Sequence, residues 1–150
     1  MALAAEDRRR LLGVLAKAAP GELTRCWQDL GLSPAFRLLR APETGLVMLR
    51  GRVSGSGAPF NLGEMTVTRC SVMLADGTVG HGYVGGTDAR RAQTVALCDA
   101  LLQGDAYREA VERGIVAPLA AAQAAARQRI VSRAAATKVD FFTVAREAGI

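Results

Sequence analysis

A chain of 150 residues, half of them hydrophobic and 22% charged, can bury about 70% of its unfolded surface in one domain. That excludes a disordered chain and removes any need for a disulfide or metal framework. The net charge of +5 is carried by 17 arginines against 2 lysines. It suggests an anionic partner, nucleic acid included, although arginine excess also follows genomic base composition.

Three cysteines, Cys26, Cys70 and Cys98, stand far apart without a Cys-x-x-Cys pair. A zinc ribbon or redox dithiol is therefore not expected, and an odd count points to reduced thiols in a cytoplasm. No apolar run reaches the roughly 20 residues of a membrane span. Arg8 to Arg10 follow an acidic pair with no long apolar segment behind them, unlike a secretory signal.

Residues 5–18 carry Leu11, Leu12, Leu15 and Ala18 at helical spacing, with Arg8 to Arg10 on the polar side. Pro20 breaks this helix and opens a second, to about Leu30, with Leu23, Trp27 and Leu30 on one face and Gly31 as the stop. Residues 36–40 read as a short extended piece before a turn at Ala41-Pro42-Glu43-Thr44-Gly45. Residues 46–54 and 64–74 read as strands, joined by a long Gly-rich loop over 55–63. Asp76-Gly77 is a two-residue hairpin signal leading into a third strand at 78–84.

Thr87 or Asp88 caps a helix to about Gln103, with Ala92, Val95, Ala96, Cys98, Leu101 and Leu102 facing inward. A short helix spans about 105–113, and Pro118 opens a long alanine-rich helix to Ala136. An apolar tail, Val139 to Val144, ends the pattern. The expected fold is α+β, a single domain over 1–150: an antiparallel sheet of three or four strands flanked by N- and C-terminal helices. Residues 137–150 would form a partner-docking tail.

The chemistry legible in these residues is sparse. His81 is the only histidine, in Gly80-His81-Gly82-Tyr83. Alone it makes no multi-histidine metal site, and as a base it needs an orienting group. The cysteines read as buried and inert. Glu43 and Glu64 could act as acid or base, or pair with Arg40, Arg50, Arg52 or Arg69. The amides of Gly55-Ser56-Gly57 and nearby arginine forks suit phosphate or phosphonate oxygens, but the spacing matches no P-loop and no Rossmann turn. The strands lack the aromatics of an RNA-binding sheet.

The run Leu39-Arg40-Ala41-Pro42-Glu43-Thr44-Gly45-Leu46-Val47-Met48-Leu49-Arg50-Gly51-Arg52 resembles the signature of the PhnG family. So do the run from Gly57-Ala58-Pro59-Phe60-Asn61-Leu62-Gly63-Glu64 to Cys70, the Gly80-His81-Gly82-Tyr83 segment, and Ala136-Thr137-Lys138-Val139-Asp140-Phe141-Phe142. The resemblance implies a subunit of the bacterial carbon–phosphorus lyase system, working with PhnH, PhnI and PhnJ subunits and an ATP-binding-cassette protein. That system replaces adenine of ATP with an alkylphosphonate to give ribose 1-alkylphosphonate 5-triphosphate, the nucleosidase step being attributed to PhnI.

The resemblance implies an accessory role and carries over no catalytic residue. No metal or cofactor is expected on this chain alone, with ATP and alkylphosphonate as substrates of the complex. Residues expected to bind substrate or shape the shared active site are Arg40, Glu43, Arg50, Asn61, Glu64, Arg69 and His81. Val139, Phe141 and Phe142 are expected at a partner interface, within a docking stretch over 116–144. The competing readings are an autonomous small-molecule transferase using His81 and Glu64, and a basic nucleic-acid-binding module.

Overall fold

The computed structural model describes residues 3–139. Helices α1 (Ala5–Lys17) and α2 (Pro20–Leu30) lead into strands β1 (Phe36–Arg52), β2 (Pro59–Leu74) and β3 (Val79–Gly85). Helices α3 (Ala89–Gln103), α4 (Asp105–Val111) and α5 (Ala117–Ala136) follow. The strands form an antiparallel meander, β1-β2-β3. The α+β expectation holds, with three strands.

The start and stop signals act as read. Gly31 closes α2 in the left-handed region, φ 64°. The Asp88 carboxylate accepts the Arg91 N–H at 3.0 Å to cap α3. The β2–β3 hairpin forms where expected but closes through three residues, Ala75-Asp76-Gly77, not two, with Gly77 at φ 87°.

Three expectations about the path of the chain need correction. Ala41–Gly45 is not a turn: β1 runs unbroken through it. Ala41 and Pro42 together stand opposite Cys70, because Arg40 pairs with Ser71 and Glu43 with Arg69. This β-bulge absorbs a proline that has no N–H to give to a ladder. Cys70 Sγ donates to the Arg40 carbonyl at 3.5 Å there.

The 55–63 segment is likewise not a long loop. A short turn at 53–55 reverses the chain, and β2 begins at Pro59, so Asn61 and Glu64 are strand residues. β3 pairs only with residues 67–73 of β2. Beyond Val67 the sheet narrows to a two-stranded arm, Gly45 to Thr66, about 25 Å long at the usual strand rise.

Finally, Pro118 does not start a separate helix. α4 passes into α5 through one π turn at Glu112–Val116, where the Ala117 N–H donates to the Glu112 carbonyl. In a regular helix the Pro118 ring would press on the carbonyl four residues back; the wider turn removes that conflict.

α3 lies at the centre. Apart from Asp99 it is apolar all round from Val95 to Leu102, and every residue in that stretch is buried. One side meets the sheet and the other meets α1, α2 and the π turn, where Leu11, Leu15, Leu23, Ile115 and Leu119 fill the core. Contact with β3 is made by glycines. A Cβ on Gly80 would overlap the Ala96 carbonyl oxygen and stand 2.6 Å from Ala100 N; one on Gly82 would overlap the Ala92 carbonyl. Ala92, Ala96 and Ala100, one helical step of four apart, form the matching surface.

This approach lets α3 serve the free edge of β3 with side chains. Gln103 Nε2 donates to the Val79 carbonyl at 2.8 Å, the His81 N–H donates to Asp99 Oδ2 at 2.8 Å, and Arg91 donates to the Gly85 carbonyl at 3.3 Å. Asp99, 1% exposed, also receives the Arg8 fork, Nε at 2.8 Å and Nη2 at 2.7 Å. Arg8 therefore faces inward, correcting its expected place on the solvent side. A buried carboxylate needs such donors.

We expect Gly80→Ala or Gly82→Ala to cost about 3 kcal/mol or more, because the obstructing atoms are helix backbone. Gly85→Ala, where a Cβ meets nothing within 4 Å, should be close to neutral. Urea denaturation of the three variants measures the contrast.

Candidate functional site

The sheet face opposite α3 has no helix over it among the described residues, and strand alternation aims a polar set outward there. Glu43 pairs across the ladder with Arg69, which pairs with Tyr83; Arg40 pairs with Ser71, which pairs with His81. Four of the expected site residues, Arg40, Glu43, Arg69 and His81, thus share one exposed surface on three strands.

Within it, Glu43 Oε1 receives Arg40 Nη1 at 2.5 Å and Arg69 Nη2 at 2.7 Å. The Glu43 carboxyl is held below the usual carboxylate range, first by the hydrogen bond from Arg40, with Arg69 adding to it. One carboxylate between two guanidinium groups leaves a net positive charge. His81 Nδ1 lies 3.0 Å from Ser71 Oγ. Asp99 touches His81 only at the main-chain N–H, so among the described residues no carboxylate orients the ring as a hydrolytic triad requires. The arrangement suits holding an anion by charge and hydrogen bonding better than nucleophilic attack.

The other three residues lie on the arm. Arg50 and Asn61 are cross-strand partners near its tip, where Arg52 donates to the Gly57 carbonyl at 3.1 Å, and Glu64 stands opposite Met48. Seven residues of strand separate Arg50 from Glu43, about 23 Å. The same spacing separates Glu64 from Ser71, the cross-strand partner of His81. His81 and Glu64 cannot act on one substrate atom together. The seven residues therefore form two groups, one over the sheet and one on the arm.

Val139 is exposed; Phe141 and Phe142 lie outside the described residues. All three cysteines are buried, and burial pushes the Cys98 thiol up to about 12 and the Cys70 thiol up from its ordinary value. Among the described residues no three His, Cys, Asp or Glu side chains gather at a metal-binding distance. No helix among them is long and apolar enough to cross a membrane.

Sequence reading missed the Arg8–Asp99 pair and the roles of Ser71 and Tyr83. The first had a signal: a lone aspartate in the run Val95-Ala96-Leu97-Cys98-Asp99-Ala100-Leu101-Leu102 must find a buried donor. The second depends on the β2–β3 register, which the hairpin at 75–77 sets.

Because the folded carboxyl sits lower than the unfolded one, the contribution of Glu43 to the ladder is present above the unfolded pKa and fades as pH falls through the folded one. Carboxyl NMR titration should place Glu43 below the ordinary glutamate range. Arg40→Gln should move it upward by more than Arg69→Gln does. Equal titration in all three proteins would contradict the ion-pair assignment.

Two comparisons with known proteins fit this arrangement. The family model described as phosphonate metabolism protein PhnG matches residues 6–147. A protein of Rhizobium meliloti (strain 1021) named alpha-D-ribose 1-methylphosphonate 5-triphosphate synthase subunit PhnG is 47% identical over 140 residues, covering 93% of this chain and 89% of that one. The chain belongs to the PhnG family.

Proposed function

We propose that this chain serves phosphonate metabolism as a subunit of an alpha-D-ribose 1-methylphosphonate 5-triphosphate synthase. The observation that carries this is the 47% identity to a protein of that name over nearly the whole of both chains. In the reaction, the glycosidic C–N bond of ATP breaks, a phosphonate oxygen bonds to the ribose C1, and adenine leaves. PhnH-, PhnI- and PhnJ-like subunits and an ATP-binding-cassette protein are the partners, in the cytoplasm, and no cofactor is held by this chain alone.

Its role is to complete the complex and shape the shared site rather than to break the bond. Two features support this. The outer sheet face offers a cationic, hydrogen-bonding surface without an oriented base. The arm exposes Leu46, Met48, Leu49, Phe60, Leu62 and Met65, each at least 37%, which is interface chemistry when it is contiguous. Arg50 and Asn61 ride on that arm and reach a site on a neighbour. Ile130, Val131 and Val139, exposed near the end of α5, extend the contact to the C-terminal stretch.

Co-expression with the partner subunits and assay of adenine release with methylphosphonate and ATP tests the reading. Arg50→Ala or Asn61→Ala should leave the complex intact and lower the rate at least about tenfold, as loss of a charged or buried hydrogen bond does. Truncation after Ala136, or a charge at Leu46 or Leu62, should reduce co-purification. Full activity of the single chain would overturn the accessory role; unchanged activity of intact Arg50 and Asn61 variants would remove the arm from the site.

A further inference from the structure

A second surface, away from the sheet, lies between α1 and α5. An open cleft of about 900 Å³ is lined by Glu6, Arg9, Arg10, Gly13, Lys17 and Arg127, with Val14 and Gln123 at its floor. A smaller hollow continues it along α5 past Ala120 and Ala124. Gln123 Nε2 donates to the Val14 carbonyl at 2.8 Å and ties the two helices together.

Four cations face one carboxylate in the main cleft. Arg10 has a weak partner, Asp7 at 3.7 Å; Arg9, Lys17 and Arg127 have no carboxylate partner among the described residues. Gly13 sits mid-helix, where glycine is worse than alanine. A Cβ on it would meet nothing within 4 Å, so among the described residues nothing requires the glycine.

The geometry points to a helix with an acidic flank, supplied by another subunit of the synthase, lying in this cleft with its carboxylates on Arg9, Lys17 and Arg127. Small residues on the two floor helices let a third backbone come near, and the charged rim fixes its sign and register. This rests on the subunit reading above.

Lysine is scarce in the chain, at Lys17 and Lys138, which makes a zero-length carbodiimide cross-link a specific probe. In the assembled complex, Lys17 should join an aspartate or glutamate in a helix of another subunit. Arg9→Glu with Arg127→Glu should cut that yield at least tenfold. Gly13→Ala should raise the melting temperature of the free chain yet weaken assembly, and Gly13→Leu should weaken it further with the free chain still folded by circular dichroism. A purely structural role for Gly13 cannot give opposite signs in the two assays.

An intact complex in which Lys17 acetylates as fast as in the free chain would overturn the inference while leaving the subunit reading in place. So would a cross-link to Asp140 or Glu147 of the same chain, or protection of Lys17 in the free chain by inorganic tripolyphosphate. A complex that never forms overturns both.

Discussion

The approach of β3 to α3 governs the rest of the architecture. Two glycines let the helix backbone settle on the strand, where any side chain would collide with the carbonyls of Ala92 and Ala96. At that distance Gln103, Asp99 and Arg91 reach the outer edge of β3 and satisfy it. Edges left bare recruit other strands; this one is closed by the helix that packs on it. Asp99 then takes the Arg8 fork on its remaining lone pairs and draws α1 against the other side of α3. One close contact thus seats the sheet, the central helix and the first helix.

That contact explains which parts of the fold are legible in residues. Helix ends are local: a capping carboxylate at Asp88 and a left-handed glycine at Gly31 act on their own neighbours. Gly80-His81-Gly82 looked like a setting for the histidine, and it is that only secondarily; its glycines answer to α3, fifteen or so residues away. The continuity of β1 between its two readable halves was hidden because Pro-Glu-Thr-Gly has turn composition, and only pairing with β2 converts it into a bulge. The same bulge sets the register that brings Glu43 onto Arg69 beside Arg40, and the β2–β3 hairpin then adds His81 through Ser71. The residue types of the candidate site were readable in the sequence, but their division into a sheet group and an arm group was not.

The two edges of the sheet are treated in opposite ways. β3 is short and covered. β1 is long, and its outer edge is unpaired among the described residues. Past Gly45 its partner β2 no longer has β3 on the other side, and an isolated two-stranded ribbon is marginal in water. Leu46 and Met48 on β1, and Leu62 on β2, add exposed apolar surface to that arm. A free protein normally breaks such an edge with lysine or proline. Here Pro42 breaks it only at the base, and the arm beyond carries none until Pro59 at the far side of the tip. Conditions of this kind are met when a second chain supplies the missing strand or apolar cover, which is the chemistry of β-strand addition.

The charge belongs to the same division. Among the described residues the core holds one ion pair, Arg8 with Asp99, whose carboxylate also receives the His81 N–H. Part of the surplus of positive charge gathers on three outer surfaces: over the sheet beside Glu43, on the arm at Arg50 and Arg52, and along the α1–α5 cleft. The first two adjoin exposed hydrogen-bonding groups on extended backbone, which suits small anions with several oxygens. The third adjoins small helical residues and an otherwise unexplained glycine, which suits an acidic helix. A single net charge read from composition therefore separates into surfaces of different chemistry, and it is the backbone beneath each arginine, helix or strand, that decides which kind of anion it is built to meet.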